Sequence, residues 1–443
     1  MRDWLDRQFE ISTRGSTLSR ELRGGFATYL TMAYILFANP AILKAAGVPV
    51  EPAVAGTAIA AGIACLVMGV WANFPVALAS GMGLNAIVAF QIAGALGSWQ
   101  KAMGLVVIDG LVILALVLLG VRERVFAAIP DDLKRAIAAG IGLFIAFIGL
   151  VNARLVVVPP GTLAGLAAEP RAPLPPVGFG VLTEPGPMIA AVGLVLIAVL
   201  HVKRVPGALI LGVAVCSVLG GVFGLTRLPT QLPTVDVGSL FQADILGAAQ
   251  VRWLPLLLSL VLVDFFDTLG TVSALADQSG LRDESGRPKG LRRILMVDSA
   301  AAALGGLFGV SSVTSYIESA AGIAEGARTG LHTVIVGVLF LASAVLAPVA
   351  GMVPAAATAP VLIFVGFLML SQIRDIDLSH VETSLPAFVT LITIPLTYSI
   401  SHGIGYGFLS YTLIQVLVGK GRRVLPLMYG VAATFAVFFI WGA

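Results

Sequence analysis

Charge is the scarcest commodity in this chain. Only 12% of its 443 residues are Asp, Glu, Lys or Arg and 58% are hydrophobic, against roughly 25% and 45–50% in soluble domains, and the mean hydropathy is +0.98. A soluble globular protein is excluded. Cysteine is equally thin: the 2 present, Cys65 and Cys216, both sit inside apolar runs, which excludes a disulfide framework or a thiolate metal centre and leaves packing as their role. The 4 histidines show no zinc or iron spacing, with His201, His332 and His402 expected near span ends, and no P-loop is present, which argues against an ATP-driven pump. The first 21 residues carry Arg2, Arg7, Arg14 and Arg20 but lack the short apolar core of a signal peptide, so the first span is expected to act as its own insertion signal. A net charge of +3 says little about partners.

What the chain does have is a succession of apolar runs of about 20 residues, the length of a membrane-spanning helix. Spans are expected near 22–38, 53–70, 76–95, 102–120, 134–151, 187–203 and 206–224, then near 253–275, 290–309, 312–326, 331–350 and 354–371. Residues 386–418 read as one bent helix or two short ones, with SHG at 401–403 and KGRR at 420–423 favouring two, and 424–441 as an extra segment. Arg14, Arg20, Arg23, Arg122, Arg124, Lys134, Arg135, Lys203, Arg204 and the basic stretch Arg282–Arg293 fall on one side if the N-terminus is cytoplasmic, as the positive-inside rule requires. The segments 152–186 and 225–252 then lie outside as loops or caps. This is an all-α polytopic membrane protein: a cytoplasmic segment 1–21, a first repeat 22–224, an extracellular connection 225–252 and a second repeat 253–443. About seven spans in each half would insert the second upside down relative to the first, the inverted-repeat plan of many secondary transporters.

Against that apolar background four carboxylates stand out. Asp264 and Asp267 lie in LPLLLSLVLVDFFDTLGTVSALA, Glu318 in GVSSVTSYIESAAGIA, and Asp298 near the start of another span. A charge inside a bilayer costs several kcal/mol even on the lower scales, about 2.5–3.5 for Asp, so such residues face a protein interior or an aqueous cavity and mark a transport path. Asp264 and Asp267, three apart, share a helix face; Asp298, beside Arg292 and Arg293, is as readily a surface ion pair or helix-end residue. The third span of each half is interrupted: FPVALASGMGLNAIVAF by Pro75, Gly81 and Gly83, GLFGVSSVTSYIESAAG by Ser and Thr between Gly309 and Gly322. A broken helix frees backbone N–H and C=O groups that lipid does not tolerate and a polar substrate can satisfy. Glycines alone more often serve close helix packing.

The strings RGGFATYLTMAYILFANPAIL, SGMGLNAIVAF, VDFFDTLGTVSALA, SSVTSYIESAAGIAEGARTGL and LPAFVTLITIPLTYSISHGIGYGF, in this order over nearly the whole chain, resemble the azaguanine-resistance-like branch of the nucleobase:cation symporter family, the permeases for adenine, guanine and hypoxanthine. The resemblance implies about 14 transmembrane helices in two inverted repeats of seven, a core and a gate domain, and a base bound between spans 3 and 10. It carries the substrate determinants over to Asp267 with Asp264 beside it, Glu318 and Asn85. The implied activity is import of purine nucleobases across the cytoplasmic membrane by symport; the protein is not an enzyme.

A purine edge offers both N–H donors and lone pairs, so Asp267 and Glu318 can accept from it while Asn85 and backbone N–H groups near Tyr316 and Ile317 donate. Phe265, Phe266 and Tyr316 are candidates to stack on the base, and Gly81 and Gly83 would admit it close to the backbone. A desolvated carboxylate can hold a proton in one state and release it in another, which assigns coupling to Glu318, Asp267 or Asp264. The coupling ion is a proton or sodium; no other cofactor, metal or nucleic acid is expected, and the sequence leaves a homodimer open. The alternative is an anion or other small-solute carrier on a related fold.

Overall fold

The computed structural model describes residues 2–120, 129–169, 177–226, 235–284, 286–350 and 352–441; Arg122 and Arg124 lie outside them. A short N-terminal helix α1 (Arg2–Phe9) precedes α2 (Leu18–Met32) and α3 (Ile35–Leu43), which together form one span broken at Ala33 and Tyr34. Next come α4 (Val50–Val67), strand β1 (Leu78–Ser80), the half-helix α5 (Met82–Leu96), α6 (Trp99–Leu118) and α7 (Asp131–Asn152). A small cap holds β2 (Val156–Val157), α8 (Pro160–Ala168) and β3 (Gly178–Phe179), followed by α9 (Pro185–Val202) and α10 (Ala208–Val222). The second half runs α11 (Leu254–Ser279), α12 (Leu291–Leu307), β4 (Val313–Ser315), the half-helix α13 (Ser319–Ala324), α14 (Gly330–Ser343), α15 (Ala355–Leu370), α16 (Val381–Leu396), α17 (Ile400–Leu417) and α18 (Pro426–Trp441).

The two halves repeat one plan in which the second long helix is followed by a three-residue strand and then a half-helix. In the C-terminal stretch, residues 386–418 fall into two helices and 424–441 form a third, so among the described residues this half has one helix more than a repeat of seven. The chain turns at Tyr398, with φ +56, just after Pro395, whose missing N–H weakens the end of α16.

The helices sort into two bodies. One, the core, gathers α2–α6 and α11–α14; the other, the gate, packs α7 against α15 and α16 and adds α9, α10, α17 and α18. Small residues make the core tight. The run Ala53, Ala58, Ala60, Ala61 and Ala64 of α4 is almost wholly buried, and α4 meets α14 so closely that a Cβ on Gly62 would lie 2.5 Å from Leu341 Cγ and one on Gly337 2.8 Å from the Gly62 carbonyl. This is how membrane helices associate when apolar burial alone gives no drive. Outward, α9 and α10 expose Val192, Val195, Val199, Val215 and Val218, a face suited to lipid.

Candidate functional site

The centre of the molecule is a two-stranded antiparallel ladder made from the two interrupted segments. Leu78 faces Ser315, Ala79 faces Thr314 and Ser80 faces Val313, and the ladder is prolonged by Tyr316 N–H donating to the Ala77 carbonyl and Gly81 N–H to the Ser312 carbonyl, both at 2.9 Å. A strand in a membrane interior needs both edges satisfied, and side chains supply this. The Leu78 N–H donates to Cys65 Sγ at 3.1 Å and its carbonyl accepts from the same thiol at 3.2 Å. Ser319 Oγ accepts from Ala77 N–H at 2.9 Å, and the Tyr316 hydroxyl donates to the Ser80 carbonyl. Cys65 is therefore a hydrogen-bonding group as well as a packing one.

The four acids divide into a sealed pair and an open pair. Asp298 is fully buried and accepts from Thr268 Oγ1 at 2.6 Å, Ser315 Oγ at 2.9 Å and Ser315 N–H at 3.1 Å, tying α12 to α11 and β4. It is neither a surface ion pair nor a helix-end residue. Asp264, 1% exposed, accepts from Ser312 Oγ at 2.7 Å. Asp267 and Glu318 are only half-buried, and nothing lies within 4 Å of a Cβ built on Gly270, three residues beyond Asp267. The charges of Asp264, Asp298 and Glu318 all act on Asp267. Glu318 occupies the N-cap position of α13 without capping it; instead Oε1 accepts from the Tyr34 hydroxyl at 2.8 Å.

The other expected residues fall less uniformly. Asn85 is buried, with Oδ1 bonded to Ser80 Oγ at 2.8 Å and no partner for Nδ2 among the described residues. Ile317 is 46% exposed at the edge of the open acids. The Tyr316 N–H is consumed by the ladder and its ring is buried, so it neither donates from the backbone nor presents a face for stacking. Phe265 packs with Ile113, Val117, Val261 and Leu295, and the side chain of Phe266 lies outside the described residues. A Cβ on Gly81 would meet Thr314 Cγ2 at 2.7 Å and one on Gly83 Ile141 Cγ2 at 2.9 Å, so both glycines serve close packing.

Several polar residues escaped the sequence reading. Asp109, in the middle of α6, is fully buried, and the rule that singled out the four acids applies to it equally. Glu21, counted with the polar N-terminal segment, is also buried and accepts from the N–H groups of Arg328 at 2.9 Å and His332 at 3.2 Å. His332, near the start of α14 as expected, is fully buried, with Nε2 2.8 Å from Thr28 Oγ1. Tyr34 and Gln91 carry no sequence signal of their own; both resemble ordinary span residues until their distant partners are known.

A family model described as "Permease family" matches residues 19–405. The chain belongs to this family. The permease is 40% identical to putative permease MJ0326 of Methanocaldococcus jannaschii over 99% of this chain and 98% of that one. It is 37% identical to guanine/hypoxanthine permease PbuG of Bacillus subtilis (98% of this chain, 99% of that one) and 37% identical to adenine permease AdeP of Escherichia coli (99% and 96%). The nucleobase permease family expected from the five motifs is thus the one found, and the protein is a multi-pass membrane permease, not an enzyme. Among solved structures the permease superposes on the transmembrane domain of the cyanobacterial bicarbonate transporter BicA with TM-score 0.61 at 18% identity, covering 88% of this chain and 97% of that one. SLC26A9 gives TM-score 0.63 at 13% identity, covering 90% and 66%. At these identities the likeness speaks to fold alone, the inverted-repeat transporter fold with core and gate.

Proposed function

We propose that this permease imports purine nucleobases across the cytoplasmic membrane by proton symport, with alternating access of a site between the crossing strands and α11. The observation that carries the reading is the open pair, Asp267 and Glu318: two half-buried acceptor groups supplied by two elements of the second half, α11 and the N-cap of α13, where a flat ring can present N–H donors to both. The relatives named as adenine and guanine/hypoxanthine permeases support the same substrate class. Asn85 Nδ2, buried and unpartnered among the described residues, is a candidate donor for a ring nitrogen or carbonyl. Two neighbouring acids repel unless a proton intervenes, so Glu318 or an acid of α11 carries the coupling proton. The N-terminus is cytoplasmic in this reading. Arg14 supports that orientation: it donates to the Asn73 carbonyl at 2.6 Å and the Arg328 carbonyl at 3.4 Å, gathering basic segments on one face.

The alternative, an anion carrier, shares the fold of BicA and SLC26A9, but half-exposed carboxylates at the strand crossing disfavour an anionic substrate. Competition uptake in cells lacking purine permeases tests the choice. Saturable uptake of labelled adenine or hypoxanthine, collapsed by a protonophore, is expected; purine uptake indifferent to the protonophore would remove proton coupling, and no purine uptake from well-expressed protein would remove the substrate class.

A further inference from the structure

The break in the first span carries a residue that the nucleobase reading does not use. Between α2 and α3 the chain tightens: Leu36 N–H donates to the Ala33 carbonyl at 3.2 Å and Phe37 N–H to the Tyr34 carbonyl at 3.0 Å, contacts of three-residue reach in place of the regular four. Tyr34 sits in this kink, 1% exposed. A phenol sealed from water needs a partner for its O–H, and its partner is the Glu318 carboxylate, 284 residues away in the chain.

We propose that Tyr34 is a positioning residue for substrate binding: it holds Glu318 by one oxygen, at a fixed rotamer, so that the rest of the carboxylate is presented to the bound base. This inference rests on the purine-transport reading. Three observations converge on it. Glu318 stands at the N-cap of α13 and makes no side-chain cap bond to that helix, and its side-chain partner among the described residues is the Tyr34 hydroxyl. Tyr34 is sealed while Glu318 is half-buried, so the bond runs from a buried donor to a carboxylate that is partly exposed. The donor also suits both protonation states. It can give its proton to an ionised carboxylate or to the carbonyl oxygen of a protonated one, so the carboxyl keeps its direction while it gains or loses the coupling proton. Since the donor lies at the kink of the first span, the orientation of Glu318 and the bend of that span are mechanically joined.

The test is purine uptake by Tyr34→Phe, Glu318→Asp and the double variant, with surface amount and melting temperature measured alongside. Tyr34→Phe keeps the ring and removes only the donor. The expected result is a KM raised about tenfold, the scale of a lost hydrogen bond to a charged group, with turnover, surface amount and melting temperature close to wild type and a changed pH dependence of KM. Glu318→Asp shortens the carboxylate out of reach of Tyr34, so the double variant should be little worse than Glu318→Asp alone, because both changes break one contact. A merely structural Tyr34 would lower surface amount or melting temperature and leave KM and its pH profile untouched. Wild-type KM and pH profile in Tyr34→Phe, or fully additive effects in the double variant, would overturn the proposal while purine transport stands. A wild type that moves no purine would overturn both.

Discussion

Gln91, in the second half of α5, donates from Nε2 to Ser399 Oγ at 2.8 Å while its Oε1 accepts from the N–H groups of Ile400 at 3.1 Å and Ser401 at 3.2 Å. One side chain of the core thereby caps the first turn of a gate helix, α17, whose N–H groups have no partner within their own helix. Phe90 beside it meets Tyr398 edge-on at 5.3 Å, and Tyr398 in turn meets Phe144 at 4.9 Å. The same half-helix carries Asn85 at its other end.

Replacing Gln91 by Ala should therefore loosen the gate without touching the acids. Two N–H groups lose their acceptor, at a cost of about 1–3 kcal/mol each where water cannot replace it. Melting of the purified protein and amide exchange of Ile400 and Ser401 measure this. A lower melting temperature with faster exchange at the start of α17 is expected, and unchanged exchange there would show that the cap does not hold the helix.

The sealed and open acids should fail differently. In Asp298→Asn an N–H₂ group faces the donors Thr268 and Ser315, leaving buried groups unpaired at about 1–3 kcal/mol apiece, so surface amount and melting temperature should fall together with uptake. Asp267→Asn and Glu318→Gln, at half-buried positions, should keep both and lose uptake by more than about tenfold, the scale of one lost charged contact. Comparable expression loss in all three would erase the distinction.

The N-terminal strap should respond to pH in a definite sense. Arg14 donates to Glu10 Oε2 from Nε at 3.0 Å and from Nη2 at 2.8 Å, and this bond, against some desolvation, holds the Glu10 carboxyl below its ordinary 4.5. A carboxyl lowered in the folded state contributes stability that is present above its unfolded value and lost as pH falls through the folded one. The strap is thus fully held at neutral pH and loosens in acid below about 4.5. Glu10 is exposed, so the pair contributes at most about 1 kcal/mol. Amide exchange of residues 8–16 should rise a few-fold in Glu10→Gln at pH 7, and acid should then produce little further change in that variant.

Gly62 should tolerate no side chain. Even Ala places a Cβ 2.5 Å from Leu341, and overpacking of this kind costs about 1–3 kcal/mol. Melting temperature should fall for Gly62→Ala, with Leu341→Ala restoring part of it.

Much of this was legible in the residues themselves. Four acids in apolar runs and two interrupted spans identified the centre of the molecule, because a bilayer leaves so few reasons for a carboxylate or a broken helix. Sorting those acids was not possible from sequence. Asp298 lies six residues beyond Arg292 yet is sealed by Thr268 and Ser315, and only the crossing of β1 and β4 brings Ser315 there. Asp264 and Asp267 share a helix face, but Ser312 covers one and the other is left half-buried. Glycine was ambiguous for the same reason: Gly81 and Gly83 would mark a substrate path or a tight contact alike, and Thr314 and Ile141 decide for contact. Tyr34 and Gln91 are ordinary letters in apolar strings; their partners, Glu318 and Ser399, lie about 300 residues away.

The ladder between β1 and β4 also sets a schedule. Ser80 and Tyr316, bonded in the finished protein, are 236 positions apart, and at about 5–20 residues per second a ribosome needs roughly 10–50 seconds to make the stretch between them. For that interval the first strand exists without its mate, in a medium that tolerates no bare peptide edge. The nascent first half must wait, its strand sheltered by protein or kept wet, until the second half arrives to close it. A stalled or truncated chain ending before Val313 is predicted to be recognised and degraded rather than stored, and pulse-chase turnover of such truncations would measure how long the unfinished permease is allowed to wait.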